Sequence, residues 1–176
     1  PARSGLGSSS SFTVGLLNSL HAMKGEYRSA EELAKEAIHI EQRVLHESVG
    51  SQDQIAAAYG GLNRIEFFPD GSFDVTPVIA DPSKLDLLQS HLMFFFTGLS
   101  RFSSDIAESK IANIKDRSAD LHAIGHMVDE GLSILGSANT PIKEFGQLLH
   151  EGWKTKRNLS DKVSNSFIDE MYEEAR

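Results

Sequence analysis

The chain has 176 residues, a formal net charge of −8 at pH 7 and no cysteine. This composition excludes disulfides, thiolate catalysis and cysteine-ligated zinc. Acidic residues outnumber basic ones by 25 to 17, so the sequence offers no basic stripe for binding nucleic acid. No apolar run approaches the roughly 18 residues of a membrane-spanning helix. We expect a soluble cytoplasmic protein without a nucleic-acid or membrane partner.

The chain opens with a glycine- and serine-rich stretch, Pro1-Ala-Arg-Ser-Gly-Leu-Gly-Ser-Ser-Ser-Ser11. Gly5 and Gly7 lack a Cβ, which lets a ligand approach the backbone closely. A helix is predicted to start within this stretch, and the unpaired N–H groups and the dipole of a helix N-terminus favour an anion. By itself the stretch supports two interpretations, a phosphate-binding loop for ATP or a serine-rich helix cap at the surface.

The first predicted helix runs from Ser8 to Lys24, and Gly25 is its predicted stop. The evidence for it is a set of apolar residues at helical spacing, namely Phe12, Leu16, Leu17, Leu20 and Met23.

A second helix is predicted from about Ala30 to His46, because Ser29-Ala-Glu-Glu32 fits a capping box. Glu41 lies in this helix, near its apolar face, and its position alone is more typical of a solvated glutamate than of a ligand. The residues expected on the buried side are Leu33, Ala37, Ile40, Val44 and Leu45.

A short third helix is predicted after the turn Gly50-Ser-Gln-Asp-Gln54. Asp53 lies at its start, where an aspartate is a natural helix cap. The same position would also suit a base in a binding site. From this feature alone, the cap is the favoured interpretation.

Two strands are predicted from Leu62 to Phe68 and from Ser72 to Ile79, and Pro69-Asp70-Gly71 supplies the turn of a hairpin between them. Asp81-Pro82 then interrupts the chain. We therefore predict two domains, residues 1–80 and 81–176.

The second half is predicted to open with a buried strand from Ser90 to Thr97, whose aromatic residues Phe94 to Phe96 belong to the core. A small-residue loop containing Arg101 follows. Further helices are predicted at about 103–113, 116–135, 141–156 and 160–174. This order of elements predicts an α+β fold, because it lacks the regular alternation of a doubly wound sheet.

Two motifs resemble those of the GHMP kinases, the superfamily of galactokinase, homoserine kinase and mevalonate kinase. Pro1-x-x-x-Gly5-Leu-Gly-Ser-Ser-Ser10 is similar to the family's second motif, P-x-x-x-G-L-G-S-S-A/S. Gly50-Ser-Gln-Asp-Gln54 is similar to the G-x-x-D-Q/N segment that carries its catalytic aspartate. The spacing between the two motifs also matches. The resemblance implies a GHMP kinase fold, with a ribosomal-protein-like N-terminal domain and a ferredoxin-like helical C-terminal domain.

Within the superfamily, three segments more closely resemble kinases that phosphorylate the anomeric hydroxyl of D-glycero-D-manno-heptose 7-phosphate. They are residues 49–63, 96–101 and 153–160. Members of the superfamily also carry a P-x-R-I/V motif on a first strand and a C-terminal G-A-G-x-G-G motif, and neither lies in these residues. The resemblance therefore implies a fold incomplete at both ends and a chain that is inactive by itself.

The resemblance also implies site residues for an ATP- and Mg²⁺-dependent sugar kinase. The ATP phosphates would bind at Gly5, Leu6, Gly7, Ser8, Ser9 and Ser10. Ser9 and Glu41 would be the Mg²⁺ ligands, although Glu41 has one residue more before the aspartate than the family pattern. Asp53 would be the catalytic residue that accepts the proton of the sugar hydroxyl or orients it.

The sequence indicates the substrate-binding residues less clearly than the residues for ATP and Mg²⁺. A phosphorylated sugar needs a cationic group, for which Arg101 is the first candidate, followed by Lys154, Lys156 and Arg157. His46 precedes the Asp53 turn and is a candidate for the sugar hydroxyls. The alternatives left open are a kinase for fucose or galactose, a non-catalytic protein that binds sugar and nucleotide, and a folded piece that forms a homodimer.

Overall fold

The computed structural model describes residues 7–47, 49–95, 97 and 116–176. These residues divide into two compact units. The N-terminal unit contains the described residues up to Val78, and the C-terminal unit contains those from Ile79 onward. In the described part of the chain, no helix is long and apolar enough to cross a membrane.

The N-terminal unit begins with α1, Ser8–Met23, which confirms the first predicted helix to within one residue. Gly7 precedes it in the left-handed conformation, with a φ of 64°, and its carbonyl accepts a 2.9 Å hydrogen bond from the Ser11 N–H. Val14 and Leu17 are buried and form a core with α2. Several apolar residues of the predicted spacing are instead exposed, namely Phe12, Leu16, Leu20 and Met23.

The second helix, α2, covers Ala30–His39 and starts at the predicted capping box. The Glu32 N–H donates to the Ser29 Oγ at 3.2 Å, and the Ser29 N–H donates to the Glu32 carboxylate at 2.8 Å. The prediction of a regular helix up to His46 is wrong, because a π-turn replaces it at Ile40–Val44.

The π-turn changes which side chains the core receives. It takes up one residue more than an α-helical turn, so the side chains that follow are rotated around the helix axis. Val44 and Leu45, which were predicted on the buried side, are 59% and 58% exposed, whereas Leu33 and Ala37 before the turn are buried as predicted.

The third helix, α3, covers Gln52–Tyr59, and a β-hairpin follows it. The strands β1, Asn63–Phe67, and β2, Phe73–Pro77, pair antiparallel with Ile65 opposite Val75, which confirms the hairpin. In its turn, the Asp70 carboxylate accepts a 2.9 Å hydrogen bond from the Ser72 N–H. The Ser72 hydroxyl donates a second bond to the same oxygen at 2.6 Å, and this bond, followed by that of the N–H, lowers the pKa of Asp70.

The C-terminal unit consists of α4, Pro82–Ser90, α5, Ser118–Gly136, α6, Ile142–Arg157, and α7, Ser166–Ala175. The last three confirm predicted helices, although α7 starts six residues later than expected, at the Asn165 cap. The predicted helix at 103–113 lies outside the described residues.

Two close contacts organise this unit. Helices α5 and α6 approach each other at Gly131, where an added Cβ would lie 3.5 Å from the Phe145 ring. Helix α4 is tied to the α5–α6 connection by Lys84, whose buried ammonium group donates hydrogen bonds to the carbonyl oxygens of Ser137, at 3.1 Å, and Thr140.

The strand predicted from Ser90 to Thr97 is wrong. Ser90 ends α4, and residues 91–95 are neither helix nor strand. Phe94 and Phe95 are 69% and 59% exposed, so they do not belong to the core. Among the described residues the one sheet is the two-stranded hairpin, and an apolar run without a partner strand cannot form a ladder of hydrogen bonds. Phe96 lies outside the described residues.

Candidate active site

The first feature of the site is the contact between the start of α1 and the start of α3. A Cβ built on Gly7 would lie 3.4 Å from both Cγ and Oδ2 of Asp53. Asp53 is the second residue of α3, and Ser51, not Asp53, takes the cap position. The interpretation of Asp53 as a helix cap is therefore wrong. Its exposed carboxylate lies instead beside the helix N-terminus that was predicted to bind phosphate.

The second feature is a buried carboxylate. Glu41 is only 2% exposed, so its interpretation as a solvated glutamate is wrong. Hydroxyl groups of α1 donate to it from Ser9 at 3.4 Å, Ser10 at 3.2 Å and Thr13 at 3.1 Å. The side-chain amide of Gln54, in α3, donates to its Oε2. The fold thus satisfies a buried charge with four donors from two helices, as burial of a carboxylate requires.

The local sequence explains why Glu41 reaches this position. It continues the face of α2 that carries Ala34 and Ala37, both fully buried, and these small side chains let the neighbouring helices pack closely. Glu41 is the second residue of the π-turn, which directly continues α2. Single π-turns of this kind are frequent at functional sites.

The third feature is the support of the segment before Asp53. The side-chain amide of Gln42 donates to the Val49 carbonyl at 2.9 Å and to the Ser51 hydroxyl at 3.1 Å. Gln42 belongs to the π-turn, so the element that contains Glu41 also fixes the segment just before α3. The positions of the two carboxylates are therefore coupled through one local structure.

The donor set fits a magnesium ion. The Ser9 hydroxyl and the Glu41 carboxylate are hard oxygen donors, the type that Mg²⁺ prefers, and they lie 3.4 Å apart. Within the described ranges no group of three or more histidine, aspartate or glutamate residues could hold a metal ion by itself. A site with few protein ligands is typical of Mg²⁺, which keeps waters and binds substrate phosphates as well.

Sequence analysis missed three polar residues of this site, Thr13, Gln42 and Gln54. A signal existed for two of them. Thr13 follows Ser9 by four residues and therefore shares its face of α1. Gln54 is the last residue of the motif that contains Asp53. No sequence signal marked Gln42, because its role depends on the π-turn.

Other predicted site residues are not brought into this group. His46 is exposed, has a left-handed φ of 55°, and makes no hydrogen bond to Glu41 or Asp53 in the described part of the chain. Gly5, Leu6 and Arg101 lie outside the described residues.

The basic residues near the end of α6 already have acidic neighbours. Lys154 pairs with Glu151 at 3.0 Å, and Arg157 pairs with Asp169 at 2.9 Å. The basic residues in the last turn of this helix also interact favourably with its dipole.

The segment that carries the glycine at the helix N-terminus, the facing aspartate and the buried glutamate is similar to known proteins. Residues 1–61 match the model of the GHMP kinases N terminal domain. These residues belong to the GHMP kinase family. They include Gly7, Glu41 and Asp53, so the whole candidate site lies within the matched part.

Comparison over nearly the whole of this chain gives relatives among sugar kinases. The chain is 32% identical to D-glycero-alpha-D-manno-heptose 7-phosphate kinase of Campylobacter jejuni, over 98% of this chain and 51% of that protein. It is 26% identical to the bifunctional fucokinase/GDP-fucose pyrophosphorylase of Arabidopsis thaliana, over 98% of this chain and 17% of that protein.

The fold comparison agrees with the family. A crystal structure of a D-glycero-D-manno-heptose 1-phosphate kinase from Bacteroides thetaiotaomicron matches with a TM-score of 0.64 and 30% identity. The match covers 89% of this chain and 45% of that one. The α+β fold is thus that of the GHMP kinases, and the chain spans about half the length of these heptose kinase relatives.

Proposed function

We propose that this chain is part of an ATP-dependent kinase that phosphorylates the anomeric hydroxyl of D-glycero-D-manno-heptose 7-phosphate, in the synthesis of nucleotide-activated heptose. The observation that carries the proposal is the contact of Asp53 with Gly7. It puts a solvent-accessible carboxylate beside a helix N-terminus suited to phosphate. Residues 1–80 would form the ATP-binding domain and residues 81–176 the C-terminal domain.

In this mechanism the start of α1 binds ATP. Backbone N–H groups from Gly5 to Ser10 would hold the β- and γ-phosphates, since the first N–H groups of a helix have no partners within it. Gly7 tolerates its left-handed φ of 64° because it has no Cβ, and the same absence keeps space open between the phosphates and Asp53.

Glu41 and Ser9 would hold the magnesium ion. An ion held by these two residues would neutralise the charge that develops during phosphoryl transfer. The protein's contribution is to keep Glu41 in a single orientation through the hydroxyl groups of α1 and the amide of Gln54.

Asp53 would act on the sugar. Its carboxylate accepts the proton of the anomeric hydroxyl as that oxygen bonds to the γ-phosphorus, while the bond from phosphorus to the ADP oxygen breaks. Such a base must be accessible to the substrate, and Asp53 is exposed whereas Glu41 is buried. The two carboxylates therefore suit different roles.

The choice of sugar is supported by the relatives, two of which are named as heptose phosphate kinases. The phosphate of the substrate would be recognised by Arg101 and its hydroxyls by His46. A second candidate function is fucose phosphorylation, because the likeness to the fucokinase covers 98% of this chain. As ATP and sugar phosphates are cytoplasmic metabolites, the function implies a cytoplasmic protein.

The proposal is tested by assaying the complete protein with Mg²⁺, ATP and a panel of sugars. The panel contains heptose 7-phosphate, unphosphorylated heptose, fucose and galactose, and phosphorus NMR locates the new phosphate. We expect the highest kcat/KM with heptose 7-phosphate and a product phosphorylated at the anomeric oxygen. A preference for fucose would support the second candidate. No ADP release with any sugar would contradict the kinase assignment.

A further inference from the structure

Gln54 is the least expected member of the site. It follows Asp53 in the first turn of α3 and is only 1% exposed. Its Nε2 donates to Glu41 Oε2, and because a carboxylate only accepts hydrogen bonds, this contact fixes which end of the amide faces Glu41.

The other end of the same amide lacks a partner. Gln54 Oε1 is buried and accepts no hydrogen bond from the described residues. Buried polar atoms are almost always paired in folded proteins, and leaving one unpaired is unfavourable. A glutamine kept only for packing would gain nothing from this arrangement. An unpartnered acceptor on the side chain that holds the predicted cation ligand points instead to a donor that arrives with a ligand, and the waters of a hydrated magnesium ion are such donors.

Neighbouring residues of a helix point in directions about 100° apart. In α3 this separation directs Asp53 toward Gly7 and Gln54 toward Glu41. One helical turn therefore fixes the distance between the exposed carboxylate and the buried one. A change in the Gln54 side chain would act on Glu41 without altering the carboxylate of Asp53.

We infer that Gln54 is a positioning residue of the cation site. It holds the Glu41 carboxylate by its amide N–H, so that Glu41 Oε1 remains on the side of Ser9, and it offers its own Oε1 to a water of the bound ion. This inference rests on the proposed function, because it concerns the same magnesium site. Groups that orient a metal ligand typically change metal affinity by about 10- to 100-fold when they are removed.

The first test replaces the amide by an apolar group of similar length. In the complete protein, Gln54→Met should weaken Mn²⁺ binding by about 10- to 100-fold in the presence of a non-hydrolysable ATP analogue. Electron paramagnetic resonance measures this binding. The matched control is Gln52→Met, an exposed glutamine of the same helix, which should bind Mn²⁺ as the unmodified protein does.

The second test separates positioning from folding. The double variant Glu41→Gln with Gln54→Glu keeps an amide–carboxylate pair but moves the charge away from Ser9 and Thr13. It should recover most of the melting temperature lost in Gln54→Met and still fail to bind Mn²⁺. Recovery of both properties by this variant would overturn the inference.

The outcomes also separate this inference from the proposed function. A Mn²⁺ affinity of Gln54→Met within about twofold of that of the unmodified protein would overturn the inference alone, because a positioning group is expected to change this affinity by about 10-fold or more. Weakened Mn²⁺ binding in a protein that phosphorylates no sugar would support the inference and contradict the proposed function. Absence of Mn²⁺ binding by the unmodified protein would contradict both.

Discussion

The backbone of Gly7 faces the carboxylate of Asp53, so that a Cβ on the glycine would lie 3.4 Å from the carboxylate carbon. Gly7 also has a φ of 64°, which side chains other than that of glycine rarely adopt. Two independent requirements therefore select glycine at this position. One is the shape of the backbone before α1, and the other is the space in front of Asp53.

Replacing Gly7 by alanine tests both requirements. Gly7→Ala should lower the free energy of unfolding by about 1–2 kcal/mol, because alanine is strained in the left-handed conformation. It should also raise the KM for ATP and lower kcat, because the methyl group fills the space beside Asp53. Chemical denaturation and steady-state kinetics measure these effects.

Gly25 provides the matched control. It has a φ of 74°, but a Cβ there would meet no atom within 4 Å. Gly25→Ala should therefore show a similar loss of stability and unchanged kinetics. Equal kinetic effects in both variants would show that the space beside Asp53 is not the reason for glycine at residue 7.

Thr13 donates a 3.1 Å hydrogen bond to Glu41 Oε1, the same oxygen that Ser9 approaches. Thr13→Val keeps the shape and removes the hydroxyl. We expect the apparent Mg²⁺ constant in the kinase assay to rise by about tenfold, with a smaller change in the KM for the sugar. Ser19→Ala is the control, since Ser19 is exposed and its hydroxyl donates to the Gly15 carbonyl of its own helix. An unchanged Mg²⁺ constant in Thr13→Val would exclude Thr13 from the site.

How far the sequence predicts the site is clearest at Glu41 and Asp53. The motif spacing assigned both residues their roles by resemblance, yet their positions alone suggested a solvated glutamate and a helix cap. Burial of Glu41 depends on α1 and α3, which are distant from it along the chain. The pattern of residues within one helix does not indicate such contacts between helices. Tertiary structure is therefore needed to bring the two carboxylates to α1.

Fold prediction succeeded where local chemistry dominates. The Ser29 capping box and the turn at Asp70 involve bonds within a few residues, and both are present. It failed at Phe94 and Phe95, whose apolar character indicated a buried strand although no partner strand is described for them. It also failed at the π-turn, because an extra residue per turn leaves no mark in the pattern of apolar residues.

His21 of α1 lies between two acidic side chains, and this arrangement predicts that the stability of the protein depends on pH. Its Nε2 lies 2.8 Å from the Glu36 carboxylate and its Nδ1 3.0 Å from that of Glu26. These hydrogen bonds, first that of Glu36, raise the pKa of His21, although desolvation of the ring and then the charge of Arg28 oppose the rise. The protonated ring therefore stabilises the folded state.

The direction in which stability changes with pH follows from the raised pKa of His21. The stabilisation is complete below the pKa of an unfolded histidine, about 6.5, and is lost as the pH rises through the higher value of the folded state. The melting temperature of the unmodified protein should therefore decrease above about pH 6.5 relative to His21→Gln. His126→Gln, which changes an exposed histidine of α5, should retain this decrease. Identical pH profiles for the unmodified protein and His21→Gln would contradict the assignment.

The central claim is that Asp53 performs the chemistry, and the kinetics of Asp53→Asn in the complete protein test it most directly. The substitution keeps the shape of the side chain and removes its ability to accept a proton. With ATP and heptose 7-phosphate, we predict that kcat falls by about 10²- to 10⁴-fold, while the dissociation constant for ATP and the melting temperature stay close to those of the unmodified protein. Unchanged turnover in Asp53→Asn would contradict the account.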